Sequence, residues 1–269
     1  MRYSGFRSSE LAGWSDRASG YDDVTARATT QSVPTLLSAV RIARDMDLLD
    51  LGCGPGYAAG AALALGARSI GIDFSPEMVG VASRRFPDAS FRVGDAEALD
   101  FPDQRFDAVV GNMVLFHLTD PDGAMREARR VLRPGGRFAF SHWAGPPESD
   151  LYDTLMPILL EHADASMIEP APDAFALSDR SATRARMVAA GFEEVGVQDV
   201  PNVLTARGDS FFDIFMVFGV RVPLIVASQT DEIRRRIRQH VDAAFDRYRT
   251  DGGYRVPIPS LVYSGRRPD

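Results

Sequence analysis

The sequence predicts an α/β fold built on a doubly wound parallel sheet. Three observations carry this expectation. Between residues 46 and 143, strand patterns alternate with helix patterns at the spacing of strand–helix repeats. The strand candidates VVGN and FAFS are short and apolar, as strands covered on both faces are. The first strand runs into LLDLGCGPGYAAG, residues 48–60, where glycines alternate at 52, 54 and 56 before a helix pattern begins.

The elements follow in order. Residues 8–19 and 26–44 read as helices, the second with apolar residues at Val33, Leu36, Leu37, Val40 and Ile42 and with Pro34 at a start or kink. Strands are expected at 47–51, 69–73, 89–93, 106–111 and 135–141, with helices at 57–65, 76–85 and 121–131. After Trp143 the rhythm breaks at the turn-rich AGPPES. Helices are expected at 150–163 and 180–190, a strand at 193–205, a Phe-rich helix at 209–219 and an amphipathic helix at 230–249. Residues 257–266 close the chain as a strand. The last third therefore reads as sheet completion plus a helical insertion. The expected division is 1–45 as N-terminal helices, 46–145 as the sheet core, and 146–269 as helical cap and final strands of the same domain.

Composition narrows the function. The chain has 269 residues, 45% of them hydrophobic, enough for a sizeable core. Net charge is −7, which argues against a non-specific grip on nucleic acid. Every basic residue is arginine, so lysine Schiff-base chemistry and a phosphate-loop lysine are excluded. The lone cysteine, Cys53, allows neither an internal disulfide nor a cysteine metal cluster. No His/Asp/Glu grouping has metal-ligand spacing, so no metal is expected. There is no eighteen-residue apolar run, and MRYSGFRSSELAG has no apolar signal segment. A cytoplasmic protein is the expectation; a homodimer stays open.

A strand, a glycine turn and a helix together make a nucleotide-binding turn. The glycines let the backbone take left-handed angles and approach a ligand, and the helix points free N–H groups at it. Asp73 ends the second strand, twenty-one residues after Gly52, where a carboxylate can accept both hydroxyls of a ribose. Asp95 follows the third strand, where it can accept an exocyclic amine such as adenine offers. Taken singly, each aspartate reads equally as a helix cap or solvated turn. Their succession behind the glycine turn favours a ligand.

The pieces LLDLGCGPG, GIDFSPEMV, GDAEALDFPDQRFDAVVGNMVLFHL and AMREARRVLRPGGRFAFSHW span about residues 46–143. In that order and spacing they resemble a class I S-adenosylmethionine-dependent methyltransferase, similar to the quinone and small-molecule methylase branch. The N-terminal GWSDRASGYDD resembles that family's leading helix and tyrosine. The resemblance implies a Rossmann-like, seven-stranded, mostly parallel sheet whose last strand, 257–266, lies antiparallel between the fifth and sixth, with a helical lid. It implies S-adenosylmethionine as cofactor and S-adenosylhomocysteine as product. Gly52, Gly54 and Gly56 would line the methionine part, with Cys53 as a small buried filler. Asp73 would hold the ribose, and Asp95 with Ala96 would read adenine. Phe74 and Met78 would pack on adenine or ribose, Asn112 and Met113 would flank the sulfonium, and Tyr21 would close over the cofactor.

Methyl transfer from a sulfonium is an in-line displacement, so positioning and exclusion of water supply much of the acceleration. A base is needed only for an acceptor with a proton of high pKa. His117 and His142 are the candidates, both at carboxyl ends of expected strands; His117 serves equally as a wall of the cofactor site. Trp143, Phe211 and Phe215 are the candidate contacts to a small, hydrophobic acceptor, with core packing as the competing role. The expected activity is methylation of an O, N or C atom of such a metabolite. A cyclase or binding protein that keeps the cofactor without transferring its methyl is the alternative. An NAD-dependent oxidoreductase fits the G-x-G-x-G spacing less well.

Overall fold

A computed structural model describes residues 3–269 of the chain. Met1 and Arg2, the first positions of the N-terminal segment 1–45, lie outside the described residues. The chain opens with α1 (Ser4–Arg17), α2 (Thr25–Thr29) and α3 (Val33–Ala39). The continuous helix expected over 26–44 is broken, with a 3-10 turn at Thr30–Ser32 and Pro34 in the first turn of α3. Proline lacks the N–H that a helix interior needs, so it starts this helix instead.

The strand–helix rhythm then appears as expected, in β1 (Asp47–Leu51), α4 (Tyr57–Ala64), β2 (Arg68–Asp73), α5 (Pro76–Arg85), β3 (Ser90–Val93) and β4 (Phe106–Gly111). It continues through α6 (Pro121–Val131) and β5 (Leu132–Trp143). Side-chain caps fix the helix starts: Ser75 accepts from Met78 N–H and Asp120 from Gly123 N–H, each just before a proline. Beyond β5 lie α7 (Asp150–His162), α8 (Arg180–Ala189), β6 (Glu193–Val200), β7 (Val203–Arg207) and α9 (Phe211–Phe218). The chain ends with α10 (Arg221–Ala227), α11 (Asp231–Phe245), β8 (Arg249–Thr250), β9 (Gly253–Pro257) and β10 (Ser260–Arg266).

Seven strands form the main sheet in the order β3-β2-β1-β4-β5-β10-β6. β10 runs antiparallel to both neighbours, and the β1, β2, β3, β4 and β5 ladders are parallel. Alternate residues feed opposite faces, as a strand's two-residue period requires. Leu48, Ala108 and Val110 join the core under α3 and α4, while Leu49, Leu51 and Val109 join the core under α6 and α8.

Two expected strands are each divided between sheets. The run 193–205 is cut at Pro201–Asn202, and the run 257–266 starts only at Ser260. Their other halves form a second sheet, β7-β9-β8, with β9 reaching back to Gly253. Pro201, Pro257 and Pro259 mark the crossings, because proline gives no donor to a ladder. Buried Asn202 ties the crossings together: its Nδ2 donates to Ala28 O at 2.8 Å, and its Oδ1 accepts from Ser260 Oγ at 2.7 Å.

The second sheet and the helices α7, α9, α10 and α11 enclose their own apolar core, which reaches Met113 and Trp143 at the carboxyl ends of the main strands. The insertion therefore caps the end of the sheet where ligands bind in open α/β folds. No helix among the described residues is long and apolar enough to cross a membrane.

Candidate active site

The turn after β1 is left-handed at Gly52 (φ +57°), Gly54 (φ +49°) and Gly56 (φ +87°). Each glycine answers a different demand. A Cβ on Gly52 would stand 2.2 Å from Val114 Cγ2, and one on Gly56 would stand 2.9 Å from the Phe91 ring. A Cβ on Gly54 would meet nothing within 4 Å, because Gly54 faces an open cleft. Gly52→Ala is expected to lose about 1–3 kcal/mol of stability through left-handed strain and overpacking, read by urea unfolding. Val114→Ala, which removes the opposing Cγ2, should restore part of that loss.

Asp73 closes the turn from β2. Its Oδ2 accepts from Gly54 N–H at 2.8 Å and its Oδ1 from Ser75 N–H at 2.9 Å. Burial pushes its carboxyl up to about 6, with the backbone donors opposing that shift. Asp73 lines the cleft together with Phe74, Met78, Asp95 and Ala96. Asp95 accepts from Glu97 N–H at 2.9 Å through Oδ1 and pairs with Arg7 of α1 at 2.6 Å through Oδ2. A carboxylate oxygen accepts more than one hydrogen bond, so both aspartates retain acceptor capacity toward the cleft.

On the far wall, Met113 is a non-glycine residue at φ +55°. Its N–H donates to Ser141 Oγ at 2.9 Å, Ser141 donates to Asn112 Oδ1 at 2.7 Å, and Asn112 Nδ2 donates to Thr29 O at 3.1 Å. This buried chain of bonds holds a bend that costs on the order of 1–3 kcal/mol at the end of β4. Tyr21 crosses the cleft with its hydroxyl 3.2 Å from Thr29 Oγ1, and burial pushes the phenol up to about 12.

Behind this wall lies a second, mostly apolar cavity of about 490 Å³, within the usual size of a small-molecule pocket. Trp143, Phe215, Phe116, Tyr152 and Met156 line it. Trp14, Tyr21, Met113 and His117 face both the cleft and the cavity.

Several expected site residues stand elsewhere. His142 lines neither space: its Nδ1 lies 2.5 Å from Trp143 O and its Nε2 3.1 Å from Ala174 O. Burial pushes its pKa down to about 4. The sequence put His142 after the expected strand 135–141 as a candidate base; the ring instead lies within β5, against two backbone carbonyls and outside both spaces. Phe211 is also corrected from acceptor contact to core: it is fully buried and stacks on Phe245 at 4.0 Å. Gly56 and Cys53 sit behind the cleft surface rather than on it. Burial pushes the Cys53 thiol well above its ordinary value, leaving a filler and not a nucleophile.

Other lining residues were not singled out by the sequence. Arg7, Glu10 and Trp14 come from α1, and Phe116 follows β4. Only the four-residue spacing of Glu10 and Trp14 marks a shared helix face. Among the described residues, no group of three His, Cys, Asp or Glu side chains is arranged to hold a metal ion.

Residues 49–140 match a family model described as a methyltransferase domain. YcgJ of Bacillus subtilis, named an uncharacterized methyltransferase, is 31% identical over 161 residues, 58% of this chain and 63% of the relative. The demethylmenaquinone methyltransferase of Renibacterium salmoninarum is 34% identical over 135 residues, 49% of this chain and 57% of the relative. Over residues 49–140 the chain is therefore similar to a methyltransferase domain.

The solved structure of YcgJ shares this methyltransferase fold at a TM-score of 0.56 and 22% identity, covering 88% of this chain and 98% of that one. So does a [4+2]-cyclase, SpnF, at a TM-score of 0.53 and 22% identity, covering 89% of this chain and 81% of that one. These two likenesses establish the fold alone. The chain spans less than two thirds of the length of the curated relatives above.

Proposed function

We propose that this chain transfers a methyl group from S-adenosylmethionine to an atom of a small, largely apolar acceptor. The observation that carries this is the common wall: a cleft behind a glycine turn, lined by Asp73 and Asp95, and an apolar cavity share Trp14, Tyr21, Met113 and His117. A group transfer needs two ligand sites that meet at one point, and here the meeting point is the end of β4.

The cleft's chemistry fits the cofactor. Gly54 offers backbone with open space before it, and the buried Asp73 carboxylate keeps acceptor capacity for two ribose hydroxyls. In this reading Gly52 and Gly54 hold the methionine part, and Asp95 with Ala96 takes the adenine amine. Phe74 and Met78 pack on the nucleoside, Asn112 and Met113 flank the sulfur, and Tyr21 covers it. The bound cofactor supplies a methyl group already activated on a sulfonium. The chain holds that group in line with the acceptor and keeps water out. Trp143 and Phe215 hold the acceptor, and their low polarity suits a reaction in which charge is dispersed.

A pH dependence follows from Asp73. Ribose hydroxyls donate to its ionised form, so cofactor binding should be flat at neutral pH and weaken as pH falls through about 6. Calorimetric titrations at two pH values either side of that point check this. The activity itself is tested by incubating the protein with S-adenosylmethionine and apolar candidate acceptors, reading both S-adenosylhomocysteine and acceptor mass. Release of S-adenosylhomocysteine with a singly methylated product is expected. Conversion of an acceptor to an isomer without S-adenosylhomocysteine would instead establish the cyclase alternative.

A further inference from the structure

Glu10 is the most unusual group beside the common wall. It is an acidic residue of α1 with no exposed surface, and it lines the apolar cavity. Its Oε2 accepts from Trp14 Nε1 at 3.1 Å and lies 2.7 Å from His117 Nδ1. Its Oε1 is buried without a hydrogen-bond partner. Leaving a carboxylate oxygen unpaired in an apolar setting is costly, so a structural role alone accounts poorly for it.

His117 is set by this carboxylate. Its ring lies between the Trp14 edge, with centroids 5.1 Å apart, and the Phe116 ring at 4.2 Å. With Nδ1–H donating to Glu10, the lone pair must sit on Nε2, for which no other described residue provides a hydrogen bond. The ring itself borders both cleft and cavity. Other charges nearby are Arg17 and Arg221, which act on Glu10, and Asp73 and the buried His142, which interact with His117.

We infer that Glu10 and His117 form a base couple for an acceptor that carries a hydroxyl, so that the product is an O-methyl ether. This rests on the methyl-transfer reading above. The acceptor's O–H bond breaks toward His117 Nε2 while its oxygen forms the bond to the methyl carbon. The carbon–sulfur bond breaks, and its electron pair returns to sulfur. The proton ends on Nε2, and Glu10 holds the resulting imidazolium through Nδ1–H. His117 is the catalytic residue; Glu10 is a positioning residue that fixes its tautomer. A neutral amine attacks with its own lone pair and needs no such couple, whereas a phenol or alcohol does. The aromatic lining of the cavity selects an apolar member of that class.

Nitrogen-15 spectra of the histidine-labelled, full-length protein test the couple without any substrate. The His117 signal among the four histidines is identified by its loss in His117→Gln. The wild type is expected to carry its proton on Nδ1, and Glu10→Ala to release that preference. A proton on Nε2 in the wild type would overturn the proposal. Circular dichroism checks folding, and Glu10→Gln serves as a second variant. Its carbonyl still accepts from Nδ1–H, so the tautomer persists while the charge is gone.

The acceptor class is tested with a panel of apolar phenols and alcohols, read by S-adenosylhomocysteine release. His117→Gln should lower kcat by about 10²–10⁴-fold, and Glu10→Gln by less, with cofactor affinity unchanged in Glu10→Gln. Methylation only at carbon or nitrogen, or none across the panel, would overturn the hydroxyl assignment. Failure of S-adenosylmethionine to bind the wild type would instead remove the methyl-transfer reading, while the tautomer result would still stand.

Discussion

Asp73→Ala is expected to weaken S-adenosylmethionine binding by about 10²–10⁴-fold. In the proposed role two ribose hydroxyls would donate to one buried carboxylate, charge-assisted hydrogen bonds that each contribute about 1.5–3 kcal/mol. Together they amount to roughly 3–6 kcal/mol, and each 1.4 kcal/mol is about a tenfold change in affinity. The same carboxylate also fixes Gly54 N–H and Ser75 N–H, so its loss loosens the turn that faces the ligand. Asp73→Asn, which keeps the shape but not the charge, should fall between. Calorimetric titration of protein with unchanged circular dichroism provides the check. Affinity in Asp73→Ala within a few-fold of wild type would contradict this role.

Phe211→Ala should cost about 3–5 kcal/mol of stability by urea unfolding. Its ring is fully buried, stacks on Phe245 at 4.0 Å and meets Tyr254 edge-on at 5.4 Å. The cavity left behind would lie inside the cap core, away from the acceptor space. The molecules that remain folded should therefore keep their acceptor KM. Phe215, one helical turn away, lines the apolar cavity proposed to take the acceptor. Phe215→Ala should raise acceptor KM even where the fold survives. Equal effects of the two variants on KM would show that the successive turns of this face of α9 are not divided in this way.

The core of this fold was legible because local and long-range signals agreed there. The limits of β1, β4, α5 and α6 follow from apolar strands, capped helix starts and prolines at first turns, and each of these acts within a few residues. The meeting of Asp73 with the glycine turn was legible for the same reason, since both lie in one strand–turn–helix–strand unit, residues 47–73. The cap was less legible. Period-two patterns continue through 193–205 and 257–266 although the chain changes sheets inside each, and only Pro201, Pro257 and Pro259 mark the change.

Phe211 and Phe215 look alike in sequence, because they share one helix face and the helical period does not say what covers each turn of it. His142 shares the strand-end position that recommends His117. What separates them is burial and the two carbonyls around His142, both products of tertiary packing. Glu10 was out of reach altogether. Its significance depends on a partner 107 residues away in sequence.

The most direct test of the account is a calorimetric titration of the ligand-free wild-type protein with S-adenosylmethionine and, separately, with NAD. The account predicts one site for S-adenosylmethionine, with a dissociation constant on the order of micromolar, and no binding of NAD. Binding of NAD, or no binding of S-adenosylmethionine by protein shown to be folded, would contradict it.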